Sequence, residues 1–271
     1  MSPEEIFAAA GVQGFLHARR VGTDAEAGLS ADEPVVLSSV VKVPLVLEFA
    51  RQVAAGQLDP ADRVRATAAD RLGGTGTAGF ADDVEFSLRD AALMALSVSD
   101  NTAADLLFDR VGVDNVRSLL AELGLSRTRV IGAPKDVLRT IVEDTEAGRR
   151  PRALDPARTT ASTPREMTRL LALIWQDLAA APAACAQVRE WMTLQVNWYR
   201  LTAGFGPDVA VAGKTGTMPG LRNEIGVATY PDGTHYALAV FTVGDYQSLR
   251  QPGIDRAIGA AAKAAVDQLR S

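Results

Sequence analysis

From Leu37 to Gly56 the chain reads LSSVVKVPLVLEFARQVAAG, an apolar run with no glycine before its end. Leu45, Phe49 and Val53 recur at helical spacing, which predicts a buried helix beginning near Ser39. Pro44 fits only close to such a start, because deeper in a helix it removes a backbone hydrogen bond. Residues three apart share a helical face, so the Ser39 hydroxyl and the Lys42 amine are expected within reach of each other. A buried amine at the positive end of a helix deprotonates more easily, and a neutral amine can take a proton from a hydroxyl. Such a pair is an activated serine nucleophile.

The chain has four lysines, so a serine three places before one arises by chance in roughly one such sequence in five. Two further signals reduce that chance. Ser99-Asp100-Asn101 and Lys214-Thr215-Gly216 follow in order, and all three together are expected at random with a frequency on the order of 10⁻⁴. Two of the four lysines therefore sit in motifs with chemistry.

Composition closes off other classes of function. A net charge of -5 with scattered arginines does not suit a nucleic-acid or polybasic membrane surface. The glycine-rich GGTGTAG segment lacks the lysine and preceding strand of a phosphate loop. Two histidines far apart and a lone Cys185 among alanines give no zinc cluster and no disulfide, so no metal or cofactor is expected. The N-terminus carries acidic residues where a signal peptide needs basic ones, and no stretch is long enough to cross a membrane. The expectation is a cytoplasmic protein, or a secreted one whose leader was removed, and a monomer.

The periodicity gives a coarse order of elements. Residues 3 to 10 read as a short helix capped by Ser2, and residues 14 to 37 as two strands. Residues 57 to 86 read as an irregular loop. Helices follow over 88 to 96, from 102, and from Asp114 to Leu123. Residues 126 to 161 read as a long loop with one short helix over 135 to 143. Thr163-Pro164-Arg165-Glu166 opens a helix to Leu178, with Glu166 as a capping residue, and a last central helix covers 183 to 195. After Gly206 the period changes to alternation, giving three strands and then an Ala-rich C-terminal helix. The expected fold is an α/β (α+β) sandwich. In it, an antiparallel five-stranded sheet from both chain ends (1–45 and 205–271) is flanked by helices and joined to an all-helical lobe (46–204) across a cleft.

The three motifs, in this order and separation, resemble those of the penicillin-recognising serine hydrolases, most closely class A β-lactamases. The likeness runs through DNTAADLL, STPREMTRLL and KTGTMPGLRNEIGV and covers nearly the whole chain. It implies Ser39 as the acylated nucleophile and Lys42 as its proton acceptor. Ser99 would relay a proton to the leaving nitrogen, helped by the charge of Lys214. Asn101 would hold Lys42 and a substrate amide, and Asp100 would be structural. Thr215, Gly216, Thr217 and Arg222 would bind substrate, with Thr215 and Arg222 on its carboxylate. The backbone N–H groups of Ser39 and Thr217 would form the oxyanion hole. Arg222 also reads as a surface strand residue, and Ser99 as a helix cap.

One departure from the family pattern matters. Class A β-lactamases carry a glutamate before a proline in the loop between the second and third motifs, and that glutamate activates the water that clears the acyl-enzyme. The counterpart here is TRVIGAPKDVL, with Ala133 before Pro134. Asp136, Glu143, Asp144 and Glu146 lie in the same loop and read as solvated loop charge, the alternative being that one of them substitutes for the glutamate. General-base assistance is worth about 10² to 10⁴ in rate, so the expectation is ready acylation and slow clearance. The substrate class is a small molecule with a carbonyl and a carboxylate: a β-lactam, or a related amide or ester. The alternatives are a cytoplasmic esterase, amidase or acyltransferase, and a non-catalytic β-lactam-binding protein.

Overall fold

The computed structural model describes residues 1–271. α1 (Pro3–Ala9) starts from Ser2, whose hydroxyl accepts from Glu5 N while the Glu5 carboxylate accepts from Ser2 N. β1 (Gln13–Arg20) and β2 (Glu26–Leu29) pair antiparallel. β3 (Val35–Val36) leads into a 3-10 turn, Ser38–Val41, which runs directly into α2 (Lys42–Ala54). Ser39 thus sits in the tighter turn before the α-helix, and Lys42 is the first α-helical residue. Every residue of α2 from Lys42 to Ala50 is buried. A helix covered on all sides is a central strut, and it carries the lysine into the interior.

The stretch expected to be irregular over 57 to 86 holds β4 (Arg63–Ala66) and β5 (Val84–Ser87), paired antiparallel. α3 (Leu88–Ser97), α4 (Asn101–Val111), α5 (Val113–Glu122) and α6 (Pro134–Glu146) follow. β6 (Ala161–Ser162) pairs with β3. Thr163 Oγ1 accepts from Glu166 N at 3.2 Å and opens α7 (Pro164–Trp175). The Glu166 carboxylate accepts from Arg127 N at 2.9 Å and Thr128 Oγ1 at 2.5 Å, which fastens the segment ahead of α6. α8 (Pro182–Thr193), β7 (Ala210–Met218), β8 (Leu221–Thr229), β9 (His235–Val243) and α9 (Pro252–Arg270) complete the chain.

The five long strands form one antiparallel sheet in the order β2-β1-β9-β8-β7. Alternation along the strands divides the core in two. Phe15, Ile225, Val227, Ala239 and Phe241 join α2, α3, α4, α7 and α8 on one face. Leu16, Leu238 and Val240 join α1 and the Ala257, Ile258, Ala261, Ala262, Ala265 stripe of α9 on the other. The small residues of α9 permit a very close approach. A Cβ on Gly204 would lie 2.1 Å from the Gly259 carbonyl oxygen, so both positions need glycine, and their contact presses the 200–204 segment against α9. No helix is long and apolar enough to cross a membrane.

Candidate active site

Three segments converge at the edge strand β7. Ser39 lines a pocket of about 120 Å³ together with Ser38, Asn101, Thr159, Thr160 and Thr217. The turn carrying Ser39 is held against β7 by Ser38, whose hydroxyl donates to the Thr217 carbonyl at 3.3 Å. A Cβ on Gly216 would meet the Leu37 carbonyl oxygen at 2.7 Å, so the glycine of the third motif permits this approach. Ser38 (φ 50) and Ser99 (φ 60) both adopt left-handed backbone conformations. Each such non-glycine residue costs of order 1–3 kcal/mol, and the contacts around the site hold it in place.

Lys42 is fully buried, and its Nζ donates to the Ser99 carbonyl and to Asn101 Oδ1, each at 2.7 Å, with Ser99 Oγ at 3.4 Å. The hydrogen bond expected from Lys42 to Ser39 is absent from this set, because the amine is turned toward the second motif. Lys214 is equally buried and donates to Ser99 Oγ at 2.9 Å and to the Thr215 carbonyl at 2.8 Å. Two amines thus share one hydroxyl. Burial, partly offset by Asp100 and Asp105, pushes Lys42 down to about 7. Lys214 is pushed well below its usual range by burial first, then by the charges of Lys42 and Arg200. The positive charge expected on Lys214 is therefore disfavoured in the absence of a counter-anion.

Asp100 is structural in the way the sequence suggests. Its Oδ1 caps α4 through Ala103 N at 3.0 Å, and its Oδ2 accepts from Thr77 N at 2.7 Å. The glycine-rich segment wraps this carboxylate. One turn further along α4, buried Asp105 accepts from Lys135 N at 2.9 Å and ties α6 to α4, and burial raises it to about 6.

Arg222, nominated for a substrate carboxylate, does not line the Ser39 pocket. The β7–β8 register sets it opposite Thr217, on the face of β8 that α9 covers, where it is 2% exposed and donates to Asp255 Oδ1 at 2.9 Å. Thr217 lies on the edge strand and still reaches the pocket, whereas Arg222 lies one strand further in. The guanidinium beside the cleft belongs to Arg200. It donates to Thr217 Oγ1 at 2.7 Å, to the Gly216 carbonyl at 3.0 Å and to Asp255 Oδ1 at 2.8 Å. Gln195 and Asn197 were also not foreseen. Gln195 Oε1 accepts from Thr215 N at 2.8 Å, and Asn197 Nδ2 donates to Thr215 Oγ1 at 2.9 Å. The only hint of Arg200 in the sequence is a charged residue set between Tyr199 and Leu201.

The wall facing Ser39 is apolar. Pro134, Val137, Leu138 and Ile141 of α6 line it, and none of the lining residues is a carboxylate. Asp136 accepts from Ala133 N at 2.9 Å as a cap. Asp144 is buried, with its oxygens taken by Arg149 and by Arg152, and these hydrogen bonds hold it far below the usual carboxylate range. Glu143 pairs with Arg152 at 2.7 Å, and Glu146 is exposed. Ala133 itself is 2% exposed.

The family model described as "Beta-lactamase enzyme family" matches residues 4–269. The Streptomyces cacaoi protein named "Beta-lactamase regulatory protein BlaB" is 28% identical over 293 residues, covering 96% of this chain and 94% of that protein. The solved β-lactamase of Sphaerobacter thermophilus superposes with a TM-score of 0.82 at 27% identity, over 99% of this chain and 97% of that one. PBP-A, also solved as an acyl-enzyme complex of a variant with penicillin G, superposes at 0.80 over 98% of this chain and 96% of its own, at 19% identity, which carries the fold alone.

Proposed function

The chain belongs to the beta-lactamase enzyme family, and from that membership we propose that it is a serine hydrolase acylated at Ser39 by a β-lactam or a related amide or ester. The observation that carries this reading is the hydrogen-bonded chain Lys42–Ser99–Lys214 behind a pocket lined by Ser39 and Thr217. A neutral Lys42 amine takes the Ser39 proton as Oγ attacks the carbonyl. The two groups need to come within about 3 Å, and such contacts often tighten only when substrate binds. Ser99 passes the proton to the leaving nitrogen, which leaves an ester on Ser39. The N–H groups of Ser39 and Thr217 stabilise the oxyanion, where one lost donor costs about 10² to 10³ in rate. A substrate carboxylate would lie against Thr215 and Thr217, with Arg200 behind them, and would supply the counter-charge that returns a proton to Lys214.

The apolar α6 wall gives no base for the water that clears the ester, so the acyl-enzyme persists. The regulatory name of the Streptomyces cacaoi relative favours a second reading with the same chemistry. In that reading the chain is a β-lactam-binding protein, and the lasting acyl group is its output rather than a slow step in turnover. A chromogenic cephalosporin tests the function directly: slow or single turnover is expected, and none in Ser39→Ala. Reaction surviving in that variant would move the nucleophile elsewhere.

A further inference from the structure

Arg222 lines a second pocket, of about 340 Å³, on the far side of the Arg200–Asp255 pair from Thr217. Tyr199, Leu249, Arg250, Asp255 and Arg256 complete its lining. Three arginines thus face one carboxylate, and that carboxylate is already shared, with Asp255 Oδ1 accepting from both Arg200 and Arg222. Arg250 and Arg256 are exposed and form no salt bridge, in a protein whose overall charge is negative. The Nε of Arg222 is sealed from solvent and has no hydrogen-bond partner. Only Nη1 of Arg222 is engaged, by Asp255, and no residue of the chain accepts from its Nη2, which is left for an acceptor in the pocket. The pocket also borders the first turn of α9, whose dipole adds positive potential there.

We propose that this pocket is an anion site, separate from the Ser39 cleft, which takes the phosphate or carboxylate group of a small molecule. Arg222 donates from below through its unengaged Nη2, and Arg250 and Arg256 close on the anion from the rim. Planar guanidinium groups suit both oxoanions. The two pockets share no lining residue, so anion binding here is independent of the reaction at Ser39.

Titration calorimetry with inorganic phosphate and with succinate, at fixed ionic strength, tests it. Saturable binding of one anion per chain is expected, and the tighter ligand of the two assigns the group as phosphate or carboxylate. Arg250→Ala/Arg256→Ala, at two exposed and unpaired positions that leave the fold undisturbed, is expected to weaken binding by about tenfold or more, the size of one lost charge-assisted hydrogen bond. Lys214→Ala is expected to bind like the wild type. Affinity within twofold of wild type in the double variant would overturn the assignment. So would binding lost in Lys214→Ala but kept in the double variant, or no saturable binding of either anion.

Discussion

Raising the pH from 6 to 8 should speed acylation of Ser39 about tenfold and then level off, because the neutral fraction of an amine titrating near 7 rises about tenfold over that interval. Burial lowers Lys42 from 10.5 to about 7. At pH 7 about half of such amines are neutral, against roughly one in 3,000 for an ordinary lysine, so burial supplies about three orders of magnitude in available base. The hydrogen bonds agree with this. A neutral amine has two N–H donors and one lone pair, and two acceptors lie at 2.7 Å, the Ser99 carbonyl and Asn101 Oδ1. The lone pair is left for the nucleophile. Lys42→Arg keeps a cation in place but cannot be deprotonated, and should lose about 10² to 10⁴ in acylation rate. Stopped-flow or quenched mass measurements of acylation across pH check both. A rate that is flat from pH 6 to 8, or an arginine variant within tenfold of wild type, would refute the reasoning.

Ala133→Glu restores a carboxylate ahead of Pro134, and hydrolysis of the penicilloyl-enzyme, timed by loss of adduct mass, should quicken by about 10² or more. Glu224 is fully buried, accepts from Leu201 N and Gln195 Nε2, and is raised from 4.5 to about 7, chiefly by burial. A raised carboxyl stabilises the fold below its unfolded value and loses that contribution as pH rises through the folded one. Between pH 5 and 8 the wild type should therefore lose about 2 kcal/mol relative to Glu224→Gln in denaturant titrations. Asp100→Ala should cost about 3 kcal/mol by the same assay, because it strands the Thr77 and Ala103 N–H groups.

The parts of the site that follow from a repeating backbone period were legible in the sequence. Helical spacing put Ser39 and Lys42 on one strut, and alternation put Lys214, Ile225 and Phe241 into strands of one sheet. Asn101 as a partner of Lys42 follows from the resemblance, whereas the turn of the amine away from Ser39 does not, because it depends on the 3-10 turn and the left-handed backbone of Ser99. The motif puts Arg222 in a strand but does not give its depth in the sheet, and it lies one strand in from the edge, opposite Thr217. Counting by twos from Ala228 through Gly226 and Glu224 reaches Arg222 on the α9 face. Arg200, Gln195 and Asn197 come from a segment with no period, positioned only by the close contact of Gly204 with Gly259. β4 and β5 were missed for a similar reason, as four-residue strands that exist only because they pair with each other.

The intact mass of the protein, followed after mixing with a penicillin, bears most directly on acylation at Ser39. We expect the mass of one penicillin to be added, to map to Ser39, to last for minutes or longer, and to be absent in Ser39→Ala. A mass that never changes, or an adduct formed and cleared hundreds of times per second, would contradict the reading of a reactive serine facing a wall without a base.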